Sequence, residues 1–144
     1  METVTQSVTV NAPAEKIFKL LEDPARAVVF VPGLNRIDKV QSKGQVGDTW
    51  EYEFNWLGWM VSGRSECTGF SRPSEYQFKT LTGNASTWTY RCERSGDGTK
   101  LTLEVEYELP HTQLARFASE TALKTLNQNA AREVVHNIKA LVED

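Results

Sequence analysis

Between residues 48 and 70 the chain alternates large apolar and polar side chains at a period of two: Trp50, Tyr52, Phe54 and Trp56 interleave with Glu51, Glu53 and Asn55. That period belongs to a strand with one buried and one solvated face. With Leu57 and Gly58 as the turn, Phe54 falls opposite Val61, Tyr52 opposite Gly63 and Trp50 opposite Ser65, and Glu51 meets Arg64 on the other face. The pattern predicts a hairpin with an aromatic wall. Its small partners Gly63 and Ser65 are expected to leave space beside the rings, as in a pocket rather than a filled core.

The same period recurs downstream. Residues 75–80 place Tyr76 and Phe78 on one side, and residues 87–94 place Trp88, Tyr90 and Cys92 there. A turn at Gly96 and Asp97 sets Cys92 against Leu101, Tyr90 against Leu103 and Trp88 against Val105, with Glu93 opposite Lys100 outside. One register that satisfies both apolar and charged pairs is self-consistent. Val4, Val8 and Val10 mark an opening strand over 3–10, and 37–40 reads as another. Every Trp and Tyr then faces inward, Trp56 and Tyr107 among them, with no charged strand residue beside them. Glu51, Glu53, Arg64, Glu66, Arg91, Glu104 and Glu106 fall on the outer, solvated face, where paired carboxylates are cross-strand partners rather than catalysts.

Two regions have helical spacing instead. Asn11 or Ala12 is expected to cap a helix with Pro13 in its first turn, Glu15 at its positive end and Ile17, Phe18, Leu20 and Leu21 as its apolar face. Asp23 and Pro24 end it and start a second short helix through Val28 and Phe30, closed by Pro32 and Gly33. After Pro110, Thr112 can cap a long helix to about residue 142. Its stripe Phe117, Thr121, Lys124, Gln128, Ala131 and Val135 is polar in the middle. Either the buried face rotates along a curved helix, or the middle contacts the polar end of a ligand through Thr121, Lys124, Asn127 and Gln128.

A chain of 144 residues, 40% hydrophobic and 24% charged, is read as one globular domain over 1–144 with a core of its own. A net charge of −3, a pI near 5.5 and no Lys/Arg cluster argue against a nucleic-acid partner and give no support to charge-driven membrane binding. METVTQSVTV lacks the regions of a signal peptide and no long apolar run follows, so a cytoplasmic location without integral membrane association is expected. Two cysteines and two histidines with no Cys-x-x-Cys or His-Glu-x-x-His spacing give no metal motif. Cys67 and Cys92 read as buried thiols.

The opening VTVNAPAEKIFKLLEDPARAVVFVPGLNRID, the later GQVGDTWEYEF and the ending NIKALVED resemble the START-like (SRPBCC, helix-grip) superfamily, and within it the polyketide cyclase/dehydrase and lipid-transport group. The resemblance implies an α+β helix-grip fold: a seven-stranded antiparallel sheet wrapped around a long C-terminal helix, two short helices after the first strand, and a cavity between sheet and helix. In the sheet order it implies, the strand of Tyr76 separates Cys67 from Cys92 by roughly 9 to 10 Å, too far for a disulfide. Members of the superfamily bind lipids, quinones, polyketides or hormones; some cyclise or dehydrate polyketides, and some activate a chaperone ATPase.

The leading expectation is therefore binding or carriage of a hydrophobic, ring-containing small molecule (lipid, quinone or polyketide-like) without a cofactor. The expected lining runs through Trp50, Tyr52, Phe54, Trp59, Gly63 and Ser65 in the first hairpin. It continues through Tyr76, Phe78, Trp88, Tyr90 and Tyr107. Phe30, Val31 and Pro32, with Leu114 and Phe117, would form the mouth, and Thr121, Lys124 and Gln128 the polar contacts. A polyketide cyclase, aromatase or dehydratase is the alternative, with a hydroxyl of Tyr52 or Tyr90 and Lys124 or His111 handling a proton. An interaction module resembling chaperone ATPase activators is the third reading; it requires an exposed apolar or charged patch.

Overall fold

The computed structural model describes residues 1–56, 58–83, 85–108 and 120–143, with Trp56 and Trp59 described by their backbone alone. Its elements are β1 (Glu2–Val10), α1 (Ala14–Leu21), a 3₁₀ turn (Pro24–Arg26), α2 (Ala27–Phe30), β2 (Leu34–Gln41), β3 (Thr49–Trp56), β4 (Trp59–Ser71), β5 (Glu75–Thr80), β6 (Ser86–Ser95), β7 (Gly98–Tyr107) and a long helix α3 (Glu120–Val142). The strands form one antiparallel sheet in the order β1-β7-β6-β5-β4-β3-β2. This is the helix-grip arrangement that the resemblance implies.

Both hairpin registers agree with the alternation. Trp50 pairs with Ser65, Tyr52 with Gly63 and Phe54 with Val61, while Cys92 pairs with Leu101, Tyr90 with Leu103 and Trp88 with Val105. On the outer face Arg91 bridges Glu75 at 3.1 Å and Glu104 at 3.3 Å, exposed pairs of the weak cross-strand kind. A register shift between Cys67 and Gly69 interrupts the β4–β5 ladder. Such bulges bend a strand and increase its twist, which suits a sheet that wraps a helix.

The helix starts differ in detail from the pattern. Pro13 itself occupies the N-cap of α1 without a side-chain cap, because neither Asn11 nor Ala12 sits at the helical boundary. Asp23 caps the 3₁₀ turn, its carboxylate accepting from Ala25 N at 3.2 Å. Gly33 follows at φ +88°, a left-handed conformation that suits glycine, and a Cβ there would press on the Asn55 carbonyl. The expected turn residue Leu57 and cap Thr112 lie outside the described residues.

The core is solid at one end. Ile17 and Phe18 of α1, Leu101 and Leu103 of β7, and Val135 and Ile138 of α3 are all completely buried, each such side chain contributing about 1.5 to 3 kcal/mol. The C-terminal end of α3 is tied to the β1–α1 junction: Asn11 N donates to Glu143 Oε2 at 2.5 Å, and Lys139 Nζ to the Thr9 carbonyl at 2.8 Å. Cys67 and Cys92 are buried and free, on strands separated by β5. Among the described residues no helix is long and apolar enough to cross a membrane.

Candidate functional site

Toward the N-terminal half of α3 the packing opens into a cavity of about 190 Å³ between helix and sheet. An apolar cavity of about 150 Å³ is already enough to hold benzene, so this one accommodates one or two rings. Phe30, Trp50, Tyr52, Phe54 and Ser65 contribute to its wall from the first half of the chain, and Tyr76, Phe78, Trp88, Tyr90 and Tyr107 from the second. Val31 and Pro32 after α2 lie there too. The helix side offers Asn127, Ala130, Ala131 and Val134, small residues facing large rings, and that mismatch is what leaves the space.

The rings form a continuous surface because β5 pairs Tyr76 with Tyr90 and Phe78 with Trp88. Tyr76 stacks on Tyr90 at 6.3 Å and Phe78 on Trp88 at 5.7 Å between centroids, and Trp50 meets Phe78 edge-on at 5.4 Å. Such pairs contribute about 0.5 to 1.5 kcal/mol each beyond their buried area. Phe70 continues the surface from Tyr76 to Phe18 of α1, where the solid core begins.

The polar groups of the wall fall into two sets. One set is already bonded within the protein: Ser86 N donates to Thr80 Oγ1 at 2.9 Å and Trp88 Nε1 to Ser86 Oγ at 3.3 Å among half-buried residues, and the hydroxyl of buried Tyr52 donates to the Thr82 carbonyl at 3.0 Å. At the buried end Trp50, Ser65, Tyr76 and Tyr90 are 4%, 1%, 4% and 2% exposed, and their side-chain N–H and O–H groups make no hydrogen bond to any described residue. Burial pushes the Tyr76 and Tyr90 hydroxyls far above the ordinary tyrosine value, so both remain protonated donors. Burial also raises Tyr52, opposed by a hydrogen bond with Thr80, and pushes the Cys92 thiol up to about 12. Glu108, exposed, is the one carboxylate in the described wall, and no Lys or Arg side chain is in it.

Several expected site residues stand elsewhere. Gly63 does not open onto space: the Thr82 carbonyl and the Tyr52 hydroxyl already occupy the position a Cβ would take. Lys124 lies outside the wall with Nζ 2.8 Å from Glu2 Oε1, and that hydrogen bond raises its pKa. Gln128 accepts from Gln6 Nε2 at 2.9 Å, and Thr121 is exposed. The physical reason is that α3 crosses β1, so the polar middle of its stripe meets the polar side chains of an edge strand rather than a ligand; of the four polar candidates Asn127 alone reaches the cavity. His111, Leu114, Phe117 and the side chain of Trp59 lie outside the described residues.

The alternation missed Leu34 and Ile37, which also line the cavity. A register shift after Leu34 breaks the period of two in β2, so these residues share a wall without showing the strand pattern. Thr80 and Ser86 carry no apolar signal, and only the pairing of strand ends brings them together. Among the described residues no three His, Cys, Asp or Glu side chains gather as a metal site.

The family described as polyketide cyclase / dehydrase and lipid transport matches residues 1–143, and the chain belongs to it. Its fold is shared with TTHA0849 from Thermus thermophilus (18% identity, TM-score 0.81, covering 98% of this chain and 97% of that one). A START superfamily protein from Mycobacterium smegmatis is similar at 15% identity and TM-score 0.78, covering 98% and 97%. The ZhuI aromatase/cyclase from a Streptomyces species is similar at 14% identity and TM-score 0.74, covering 99% and 93%. Among curated proteins no sequence relative matches.

Proposed function

We propose that this protein binds and carries a hydrophobic, ring-containing small molecule in the cavity between α3 and the sheet. The observation that carries the reading is the cavity itself, an apolar space walled by stacked rings on one side and small helix residues on the other. Ring faces attract flat apolar guests and exclude water from them. A cyclase would need a group in the wall that exchanges a proton near neutral pH. Burial holds Tyr76 and Tyr90 protonated there, Lys124 is engaged by Glu2 outside the wall, and the one described carboxylate, Glu108, is exposed, which supports carriage over turnover.

Trp50 and Trp88 stand in the wall, so titration with one- and two-ring compounds is expected to change tryptophan emission and raise the melting temperature. A ligand at 100 times its Kd stabilises by about 2.7 kcal/mol. Native mass spectrometry of the purified protein is expected to show a small molecule retained. Ring compounds that leave both emission and melting temperature unmoved would refute carriage, and steady-state conversion of a poly-β-keto analogue would replace it with catalysis.

A further inference from the structure

We propose that the buried end of the cavity is a carbonyl-recognition subsite, in which Trp50, Tyr76 and Tyr90 present hydrogen-bond donors to a neutral ring ketone or quinone in preference to a hydrocarbon or a carboxylate. The inference rests on the carriage reading and names the chemistry of its guest. Its basis is the split between the two sets of polar groups. Those of Thr80, Ser86, Trp88 and Tyr52 are already bonded to the protein, whereas Trp50, Tyr76 and Tyr90, all at least nine-tenths buried, line the cavity with nothing described to donate to.

Buried polar groups are ordinarily hydrogen-bonded, and those that are not await a water or a ligand. The indole N–H can only donate, and a phenol held in its neutral form offers one proton. Burial keeps both phenols in that form. A guest that satisfies this set carries an acceptor. A hydrocarbon would displace water from the donors and leave them unsatisfied. A carboxylate would surrender its hydration with no Lys or Arg in the described wall to replace it, and the one described charge in that wall, Glu108, repels it. Ser65, 1% exposed and paired with Trp50 across β3 and β4, adds a hydroxyl beside the indole. The cavity accommodates a one- or two-ring guest, and a carbonyl on such a ring can lie against the stacked Tyr76 and Tyr90.

The test uses the full chain and three probes of one shape: α-tetralone, tetralin and tetralin carboxylate, titrated by calorimetry and tryptophan emission. Tetralone is expected to bind about tenfold more tightly than tetralin, the gain of one to two neutral hydrogen bonds, with the carboxylate weakest. In the double variant Tyr76→Phe/Tyr90→Phe the preference for tetralone over tetralin is expected to shrink to the part that the Trp50 indole still supplies, because tetralone loses two donors and tetralin no longer strands them. The carbonyl stretch of bound tetralone is expected at lower frequency than in an apolar solvent and to move back in the double variant. Should that variant not fold, the wild-type affinity ratio and stretch still decide. Equal binding of tetralone and tetralin would overturn the subsite and leave carriage standing, because water would then serve the donors. Tightest binding of the carboxylate would overturn it as well, and binding of none of the three would overturn subsite and carriage together.

Discussion

Two tyrosines on the same inner face meet different surroundings. Tyr52 of β3 is opposite a glycine, and Tyr76 of β5 is opposite a second tyrosine. Side-chain size alone would put the empty space beside Gly63, yet there the backbone at Thr82 moves in, accepts the Tyr52 hydroxyl at 3.0 Å and fills the gap. Across the cavity from the Tyr76–Tyr90 stack the wall is a helix, whose Ala130 and Ala131 leave the intervening space unfilled. A small residue on a strand invites a neighbouring loop, whereas small residues on a helix facing large rings leave a hole. Interiors close to native density wherever a flexible segment can reach.

The largest expected effect breaks this comparison if it fails. Gly63→Leu would push its side chain into a backbone carbonyl, so the loss of stability should reach or exceed the roughly 1 to 3 kcal/mol typical of overpacking. Ala131→Leu, from the helix side, would enter existing space and is expected to cost less than that while abolishing binding of ring compounds. Urea midpoints and ligand titrations of the two variants check both halves. The account fails if Gly63→Leu is tolerated and Ala131→Leu is not.

The strand half of this picture was legible in the sequence because each hairpin carries two independent patterns. Trp50, Tyr52 and Phe54 could take only a register that also set Glu51 against Arg64, and Trp88, Tyr90 and Cys92 only one that set Glu93 against Lys100. The helix half was not legible to the same degree. A stripe at helical spacing shows which residues share a face, and nothing in it shows whether a ligand or the edge strand β1 lies beneath; Lys124 and Gln128 turned out to face Glu2 and Gln6. Gly63 shows no space beside it for a related reason, since the filler comes from a loop whose path is set by tertiary packing. Leu34 and Ile37 escaped because an irregular register removed their period.

The same two surroundings respond differently to alkaline pH. Burial raises the Tyr76 and Tyr90 hydroxyls strongly, whereas Tyr52 is raised against an opposing hydrogen bond with Thr80. A folded-state pKa above the unfolded value of about 10 means that the contribution is present in full below that pH. It is lost as pH climbs from there through the folded value, at up to about 1.4 kcal/mol per pH unit for each tyrosine. Tyr90→Phe and Tyr76→Phe are therefore expected to flatten the alkaline loss of stability relative to wild type, with Tyr52→Phe flattening it over a narrower range. Denaturant midpoints measured between about pH 9 and 11 check this. Curves for Tyr90→Phe and wild type that run parallel would show that the phenol is not desolvated.

The smallest effect separates the two tyrosines most directly at neutral pH. The Tyr52 hydroxyl has a partner in the folded protein, so Tyr52→Phe removes a hydrogen bond and leaves the Thr82 carbonyl short of a donor, with an expected loss of about 0.5 to 1.5 kcal/mol. The Tyr76 and Tyr90 hydroxyls have no protein partner among the described residues, so the matching Phe variants remove no hydrogen bond to the protein while keeping the ring and its stack. Their ligand-free stability is expected to stay within about 0.5 kcal/mol of wild type or to rise. The ordering Tyr52→Phe less stable than Tyr76→Phe and Tyr90→Phe, read from urea midpoints with unchanged slope, is the quantity to check. A loss at Tyr90 as large as at Tyr52 would mean that the ligand-free protein already satisfies the buried hydroxyl, and the distinction between a closed pair at Gly63 and an open pair at Tyr90 would no longer hold.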